Sequence, residues 1–451
     1  MESLVFDTKR VHKFEFQGFG TSLCWFAVAI KDKKLIDYLC NLLFNPDNLY
    51  GLQLNVVRYN IGGSNDSIIG MRPGGNVHEY SILEDWECVD ENQRYFLKKS
   101  LECGAKVFEA FSNSPPVSMT NSGQTSGANP WKILKKFGNI GFSNNLKKQE
   151  IENFTSYLVD VTSYLIKSGI PFTSISPMNE PSSPGWVNGN NQEGCFYGFG
   201  GIRRKVFSSL MSKLKGSDIK VAGFEENNML QAVIGMIINP FIKVDKYNVH
   251  RYKIGDALGF DTKGLDDSNF FRKILSSAYS KKPIWMSEVG FGSNKGLSDY
   301  ETLINFCNCL SDDLIHLKPT AWVYWQVIED LSNNGWGCLQ TNFNNSGDIV
   351  YGSQFVAFQH FTHFIKPGCY LVDIPPCTNK KVKWVGSFNP LTLQKSVVIT
   401  SSSAEILQVK FNKHCLKTMH TRKDETLYNY DCIIDVLTIY PNSVMSILFM
   451  D

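Results

Sequence analysis

Two glutamates stand where short apolar runs end. Asn179-Glu180-Pro181 follows ISPM, and Ser287-Glu288-Val289-Gly290 follows PIWM. Two carboxyls facing each other across a cleft can cleave a glycosidic bond. One protonates the leaving oxygen while the other attacks the sugar carbon or activates water. A single glutamate at a strand end is more often a structural ion-pair partner, so the weight rests on there being two, each with its own flank. Other residues fall into position to serve such a pair. His250 and Tyr252 have i, i+2 spacing and share one face of a strand, although a satisfied structural histidine would look the same. Trp325 closes an apolar run, where an indole face can stack on a sugar ring. Asn113, with Ser112 and Pro115-Pro116, ends another run and could wall a subsite. Trp186, Glu193 and Tyr197 lie in a long Gly/Asn-rich loop, 182–198, which reads as a substrate-binding loop beside Glu180. Trp131 and Trp336 are candidate outer platforms. Glu225 and Glu226 are the rival carboxylates, with one expected in solvent and the other bonded to the rim.

These residues need a scaffold that gathers strand ends at one face. Short apolar runs alternate with amphipathic stretches from about residue 16 to 366. FQGFGTSLCW, LQLNVVRYN, AKVFEAFS, FTSISPMNE, IKVAGFEE, KYNVHRY, PIWMSEVG and AWVYWQ read as eight strands, several apolar on both faces as in a sheet covered on both sides. Between them, IENFTSYLVDVTSYLIKSG places Ile151, Phe154, Leu158, Val161, Leu165 and Ile166 on one helical face and stops at Gly169. The alternation predicts an α/β fold, a (β/α)8 TIM barrel over 16–366, whose chemistry sits at the C-terminal ends of its strands. From 367 to 451 the texture changes to short β-type segments (KVKWVGSF, SVVITSS, EILQVKFN, VLTIY, SVMSILF) without helical period, which predicts an all-β sandwich side domain. Residues 1–15 alternate and are expected to add a strand to it.

Composition narrows the function classes. The 451 residues carry 45 Lys+Arg against 43 Asp+Glu, so no basic excess advertises a nucleic-acid partner. Hydrophobic residues are 43% and aromatic residues 13%, enough for a large core with aromatic surplus. No run approaches the length of a membrane span. The eight His and 12 Cys show no ligand-type clustering. His360 and His363 read as packing residues, and Cys307 and Cys309 as inert core thiols. The glycine-containing segments lack phosphate-loop context. Asn65, Asn153 and Asn344 begin N-x-S/T triplets, a pattern short enough to arise by chance. The start has no secretory leader pattern, which leaves a secreted chain trimmed of its leader and a cytoplasmic chain both open.

The wording of these segments resembles glycoside hydrolase family 30. GFGTSLCWFA (18–27), NVVRYNIGG (55–63), SNSPPVSMTNSGQTSG (112–127), SPMNEP (176–181), QEGC (192–195), NVHRY (248–252), WMSEVGFG (285–292), YWQVIED (324–330), GWGCL (335–339) and FTHFIKPG (361–368) occur in the family's order. Within the family they look most like the branch acting on β-1,6-linked galactan. The resemblance implies that Glu180 is the general acid/base and Glu288 the nucleophile of a configuration-retaining enzyme, with carboxyls about 5–5.5 Å apart. It places His250 and Tyr252 in the pocket, with Tyr252 bonded to the nucleophile, and Trp325 under the first sugar. Arg58 would then depress the Glu288 pKa, burial and the Glu288 charge would raise that of Glu180, and Asn179 would bond the sugar 2-hydroxyl. Phe26 departs from the family pattern, where a second tryptophan is expected, and so bears on subsite detail.

The reading is thus a metal- and cofactor-independent endo-β-1,6-galactanase-like hydrolase, monomeric, whose partner is an oligo- or polysaccharide. β-1,6-glucanase or glucosylceramidase-type activity on the same scaffold is the alternative within the class. Outside it stands a catalytically silent carbohydrate-binding protein.

Overall fold

The computed structural model describes residues 2–131, 141–198, 200–252, 269–290, 298–332, 336–343, 349–423 and 425–450; Asn344 lies outside them. Each of the eight apolar runs supplies one parallel strand of a closed barrel. They are β1 (Gly18–Ser22), β2 (Val56–Asn60), β3 (Val107–Phe111), β4 (Phe172–Ser176), β5 (Lys220–Glu226), β6 (Lys246–Arg251), β7 (Ile284–Val289) and β8 (Ala321–Tyr324). β1 pairs with β2 on one side and with β8 on the other, which closes the ring. Side chains of one parity fill the barrel and those of the other meet the surrounding helices, so the strands are buried almost throughout.

The helix Ile151–Lys167 buries Ile151, Phe154, Leu158, Val161 and Leu165 as its period requires. Ile166 is a correction. It is 36% exposed, because one further step of about 100° turns it away from the stripe. Gly169, at φ +100, makes the left-handed turn into β4.

Beyond the helix Ser353–Thr362 the chain forms β9 (Tyr370–Val372), β10 (Val382–Phe388), β11 (Lys395–Ser401), β12 (Leu407–Arg422), β13 (Glu425–Ile439) and β14 (Ser443–Met450). One sheet runs β12-β14-β11-β10-β9, with β13 on the outer side of β12 and the N-terminal Glu2–Ser3 paired parallel to Val409-Lys410. Its two faces have different partners, as strand alternation allows. Val385, Val398, Met419 and Val444 join the barrel core. Val382, Trp384, Val397, Ile399, Ile447 and Phe449 meet Val409, Phe411, Leu437 and Ile439 in a second core. The two layers of the sandwich therefore belong to one continuous, curled sheet. β12 and β13 are far longer than the segments EILQVKFN and VLTIY. The halves next to their hairpin turn, 413–422 and 425–435, escape the sequence reading, and β13 there is exposed along most of its length and carries little apolar alternation.

Candidate active site

Glu180 and Glu288 stand at the C-terminal ends of β4 and β7 and are both buried at the barrel mouth. One carboxylate oxygen of each, together with a ring nitrogen of His250, lies within 4.8 Å of the other two. Glu180 has φ +44, a left-handed conformation that costs a non-glycine residue of order 1 kcal/mol. Its backbone N–H, donated to the Glu225 carbonyl at 2.9 Å, holds it there. Asn227 Nδ2 donates to Glu180 Oε1 at 2.7 Å. On the other side, the Tyr252 hydroxyl donates to Glu288 Oε1 at 2.8 Å, and Arg58 Nη1 to Glu288 Oε2 at 3.3 Å. Asn179 Oδ1 is buried and accepts no hydrogen bond among the described residues.

Beneath the pair the barrel is filled with charge. Arg58, fully buried on β2, reaches Glu109 on β3 at 3.1 Å and Glu225 on β5 at 2.9 Å. Lys246 pairs with Glu109 from β6, and Asn248 donates to both Glu109 (2.7 Å) and Glu225 (2.6 Å). Ser287 Oγ donates to Glu225 Oε2 at 2.6 Å. His250 joins the two levels, with Nε2 2.6 Å from Glu225 and Nδ1 3.4 Å from Glu180 and 3.6 Å from Glu288. Buried charges persist only when paired in this way.

The protonation states follow from that pairing. Burial alone would strip His250 of its charge. Glu288's charge and the bonds with Glu180 and Glu225 outweigh it and carry the His250 pKa up to about 10. Burial would likewise raise Glu225, but the Arg58 charge and the His250 bond hold it well below the usual carboxylate range. Glu288 is a correction to the expectation from Arg58. Burial, with the Glu180 charge adding to it, pushes Glu288 up to about 7, against the pull of His250, Arg58 and Tyr252. Arg58 sits closer to Glu109 and Glu225 than to Glu288, and its pull on Glu288 is outweighed by burial. Three cations (Arg58, Lys246, His250) face four carboxyls (Glu109, Glu180, Glu225, Glu288), a set that is neutral when the facing pair holds one proton. The Glu180, His250 and Glu288 atoms are close enough to hold a metal ion. Both ring nitrogens of His250 face carboxylate oxygens, Nε2 that of Glu225 at 2.6 Å and Nδ1 those of the facing pair, the arrangement of an imidazole that donates from both.

Other predicted residues divide. Trp325 follows β8 at the mouth, is 5% exposed, and meets Trp25 edge-on at 5.2 Å. Trp336 lies 6.4 Å from the Tyr252 ring, while Trp131 packs on Phe142 and is 43% exposed. Glu225 and Glu226 are both fully buried, so neither is the solvated member expected; Glu226 is locked to Arg203 at 2.5 Å. Asn113 is tied into the barrel rim. It is buried, with its N–H on Asn60 Oδ1 and its amide 3.6 Å from the Cys24 sulfur. Trp186 is likewise buried, its indole N–H donating to the Glu180 carbonyl at 3.0 Å, which braces the acid's backbone. Phe26 is fully buried against Phe96 and takes no place in the pocket.

The loop 182–198 is pinned down by Glu193, which is buried and accepts from Asn60 Nδ2, the Gly63 and Val77 N–H groups, and Ser64 Oγ. Glu109 and Asn227 are the residues that sequence reasoning missed. The signal for Glu109 is a lone acid inside the otherwise apolar AKVFEAFS; for Asn227 nothing local distinguishes it. His360 is neutral, its pKa lowered to about 3 by burial, and bridges Ser446 and Thr421 as packing would require. Among the described residues no helix is long and apolar enough to cross a membrane.

Residues 7–234 match the sequence model of O-glycosyl hydrolase family 30. An endo-β-1,6-galactanase of Hypocrea rufa is 29% identical, with 88% of this chain and 80% of that protein covered. An exo-β-1,6-galactobiohydrolase of Bifidobacterium longum is 22% identical over 76% of this chain, and the match spans 28% of that longer protein. Among solved structures, a conserved exported protein from Bacteroides fragilis superposes with TM-score 0.82 at 17% identity, covering 99% of this chain and 100% of that one.

Proposed function

The chain belongs to O-glycosyl hydrolase family 30, and on that premise we propose that it cleaves β-1,6-linked galactan within the chain and with retention of configuration. The observation that carries the reading is the spacing of Glu180 and Glu288, whose nearest oxygens fall within 4.8 Å. Retaining enzymes keep their carboxyls about 5–5.5 Å apart, whereas inverting enzymes need roughly 6.5–9.5 Å to admit a water. The galactan preference is supported by the two relatives, both named for β-1,6-galactan chemistry.

In this mechanism Glu288 attacks the anomeric carbon as Glu180 gives its proton to the leaving oxygen. Glu180, then anionic, removes a proton from water, which releases the sugar from Glu288. Tyr252 and Arg58 aim the Glu288 oxygens, and the bond from Tyr252 strengthens while that carboxylate bears charge. Asn179 Oδ1, without a partner among the described residues, accepts from the sugar 2-hydroxyl, a contact that tightens as the ring flattens toward the oxocarbenium ion. Trp325 supplies the stacking floor. All proton and nucleophile work is done by carboxylates of the chain itself.

The test is hydrolysis of de-arabinosylated β-1,6-galactan by the wild type and by Glu288→Gln, with product sizes followed over time. A spread of short oligosaccharides from the wild type alone supports the reading. Galactobiose as the sole early product would replace internal cleavage by chain-end action. Binding without any release by the folded wild type would favour a silent carbohydrate-binding protein.

A further inference from the structure

Trp325, at the end of β8, is one end of a chain of stacked groups that leads away from the catalytic pair. Its ring meets Trp25 edge-on at 5.2 Å, and the Arg72 guanidinium lies over the Trp25 ring at 3.7 Å. Arg72 Nη2 donates to the buried Glu329 at 3.1 Å, and its backbone N–H donates to the Asn191 carbonyl at 2.9 Å. Past Arg72 opens a cavity of about 250 Å³, lined by Arg72, Pro73, Asn191, Asp330, Ser332 and Phe343. All these residues come from loops that follow β2, β4 and β8, so the cavity opens on the face of the barrel that holds Glu180 and Glu288.

We propose that this cavity is a second glycone subsite, which takes a neutral hexose joined to the sugar cleaved at Glu288. The inference rests on the glycosidase reading above and adds to it the direction and length of the bound chain. In an eight-stranded ring β4 and β8 are opposite. Glu180 on β4 must stand beside the leaving oxygen, so the departing portion lies on the β4 side. The retained portion lies over Trp325 and continues toward Trp25 and Arg72. The volume falls just below the roughly 300 Å³ at which drug-sized pockets begin, which suits one sugar ring.

The lining fits hydroxyls. Stacking on Trp25 fixes the plane of the guanidinium, and only its Nη2 has a partner among the described residues, which leaves the fork's other N–H groups as donors. Asp330 adds a carboxylate acceptor, held in place by Ser332 and by the Phe343 N–H, and Phe343 gives an apolar wall. The charges also discriminate. Asp330 in the lining and the buried Glu329 behind Arg72 outnumber that one cation, so a uronate in the cavity would be repelled, whereas a neutral galactose would not.

The test compares two aryl glycosides with the same leaving group, an aryl β-galactoside and an aryl β-1,6-galactobioside, in the wild type and in Arg72→Ala and Arg72→Lys. The wild type should favour the bioside at least tenfold in kcat/KM. Both variants should lose at least tenfold more on the bioside than on the galactoside, because Lys keeps the charge but not the planar fork. Replacing the outer galactose by glucuronate should abolish the advantage. No bioside preference in the wild type overturns the subsite, as does an equal loss on both substrates, which would make Arg72 only a brace for Trp25. The wild-type comparison holds even if a variant fails to fold. A wild type that cleaves neither glycoside nor galactan fails at the level of the glycosidase reading and takes the subsite with it.

Discussion

His250 Nε2 lies 2.6 Å from Glu225 Oε2, and this contact fixes a positive charge beneath the two glutamates of the mouth. The ring is fully buried, yet its pKa is carried up to about 10. Glu225 thus acts on the facing pair through His250 and is a positioning residue. Glu225→Gln keeps the shape but removes the charge, so His250 should release its proton nearer neutrality. The expected result is a roughly 10–100-fold lower kcat, with the acid limb of the rate profile moving to higher pH, because the His250 charge that lowers the Glu288 pKa is lost. An unmoved acid limb would mean that Glu225 serves only the packing of the barrel.

The acid limb belongs to Glu288. A nucleophile must be ionised, and burial with the neighbouring Glu180 charge sets the Glu288 pKa at about 7. The kcat/KM of the wild type should therefore rise with pH through about 7. Because the Glu180 charge contributes to the raised value, Glu180→Gln should move this limb to lower pH. The measurement needs an activated aryl glycoside, which departs without a proton from the enzyme. A limb that stays in place would show that burial alone sets it.

Leaving-group dependence separates the two glutamates. If Glu180 is the acid, Glu180→Ala should slow hydrolysis of galactan by roughly 10²–10⁴-fold while sparing the first step on activated aryl glycosides. Glu288→Ala should stop both, and azide should restore turnover with inversion, since the small anion enters the space the carboxylate leaves. Equal damage to both substrate types in Glu180→Ala would sink its assignment as the acid.

The barrel and the facing pair were legible in the sequence because each depends on local pattern. Fully apolar runs such as AWVYWQ name a strand covered on both faces, and an acid just after such a run must sit at a strand end. What was not legible depends on neighbours across the ring. Arg58 announces a cation near Glu288, but its sharing with Glu109 and Glu225 is set by β3 and β5, and so the sign of the Glu288 shift came out reversed. Asn113 and Trp186 looked like surface candidates because loop residues usually are exposed. Glu193 draws the Trp186 loop inward through bonds to residues about 115–135 positions away, and Asn60 holds Asn113, contacts that no local pattern records.

That pin can be pulled. Glu193 accepts four hydrogen bonds in full burial, two of them from backbone N–H groups of the loop after β2. Glu193→Ala leaves those donors without a partner, and each buried orphan costs about 1–3 kcal/mol. Even with partial relaxation the loss should reach about 3 kcal/mol, read as a melting temperature lower by several degrees. One of the orphaned donors, the Val77 N–H, lies five positions from Arg72, so the loop that carries Arg72 should also loosen. KM for galactan should rise more than kcat falls, because Glu180 and Glu288 are held by other contacts: Asn227 and the Glu225 carbonyl for the first, Tyr252 and Arg58 for the second. Thermal melts and steady-state kinetics on Glu193→Ala measure both. A variant as stable as the wild type would mean that water replaces the carboxylate without cost. A fall in kcat at unchanged KM would instead place Glu193 in the support of the catalytic pair itself.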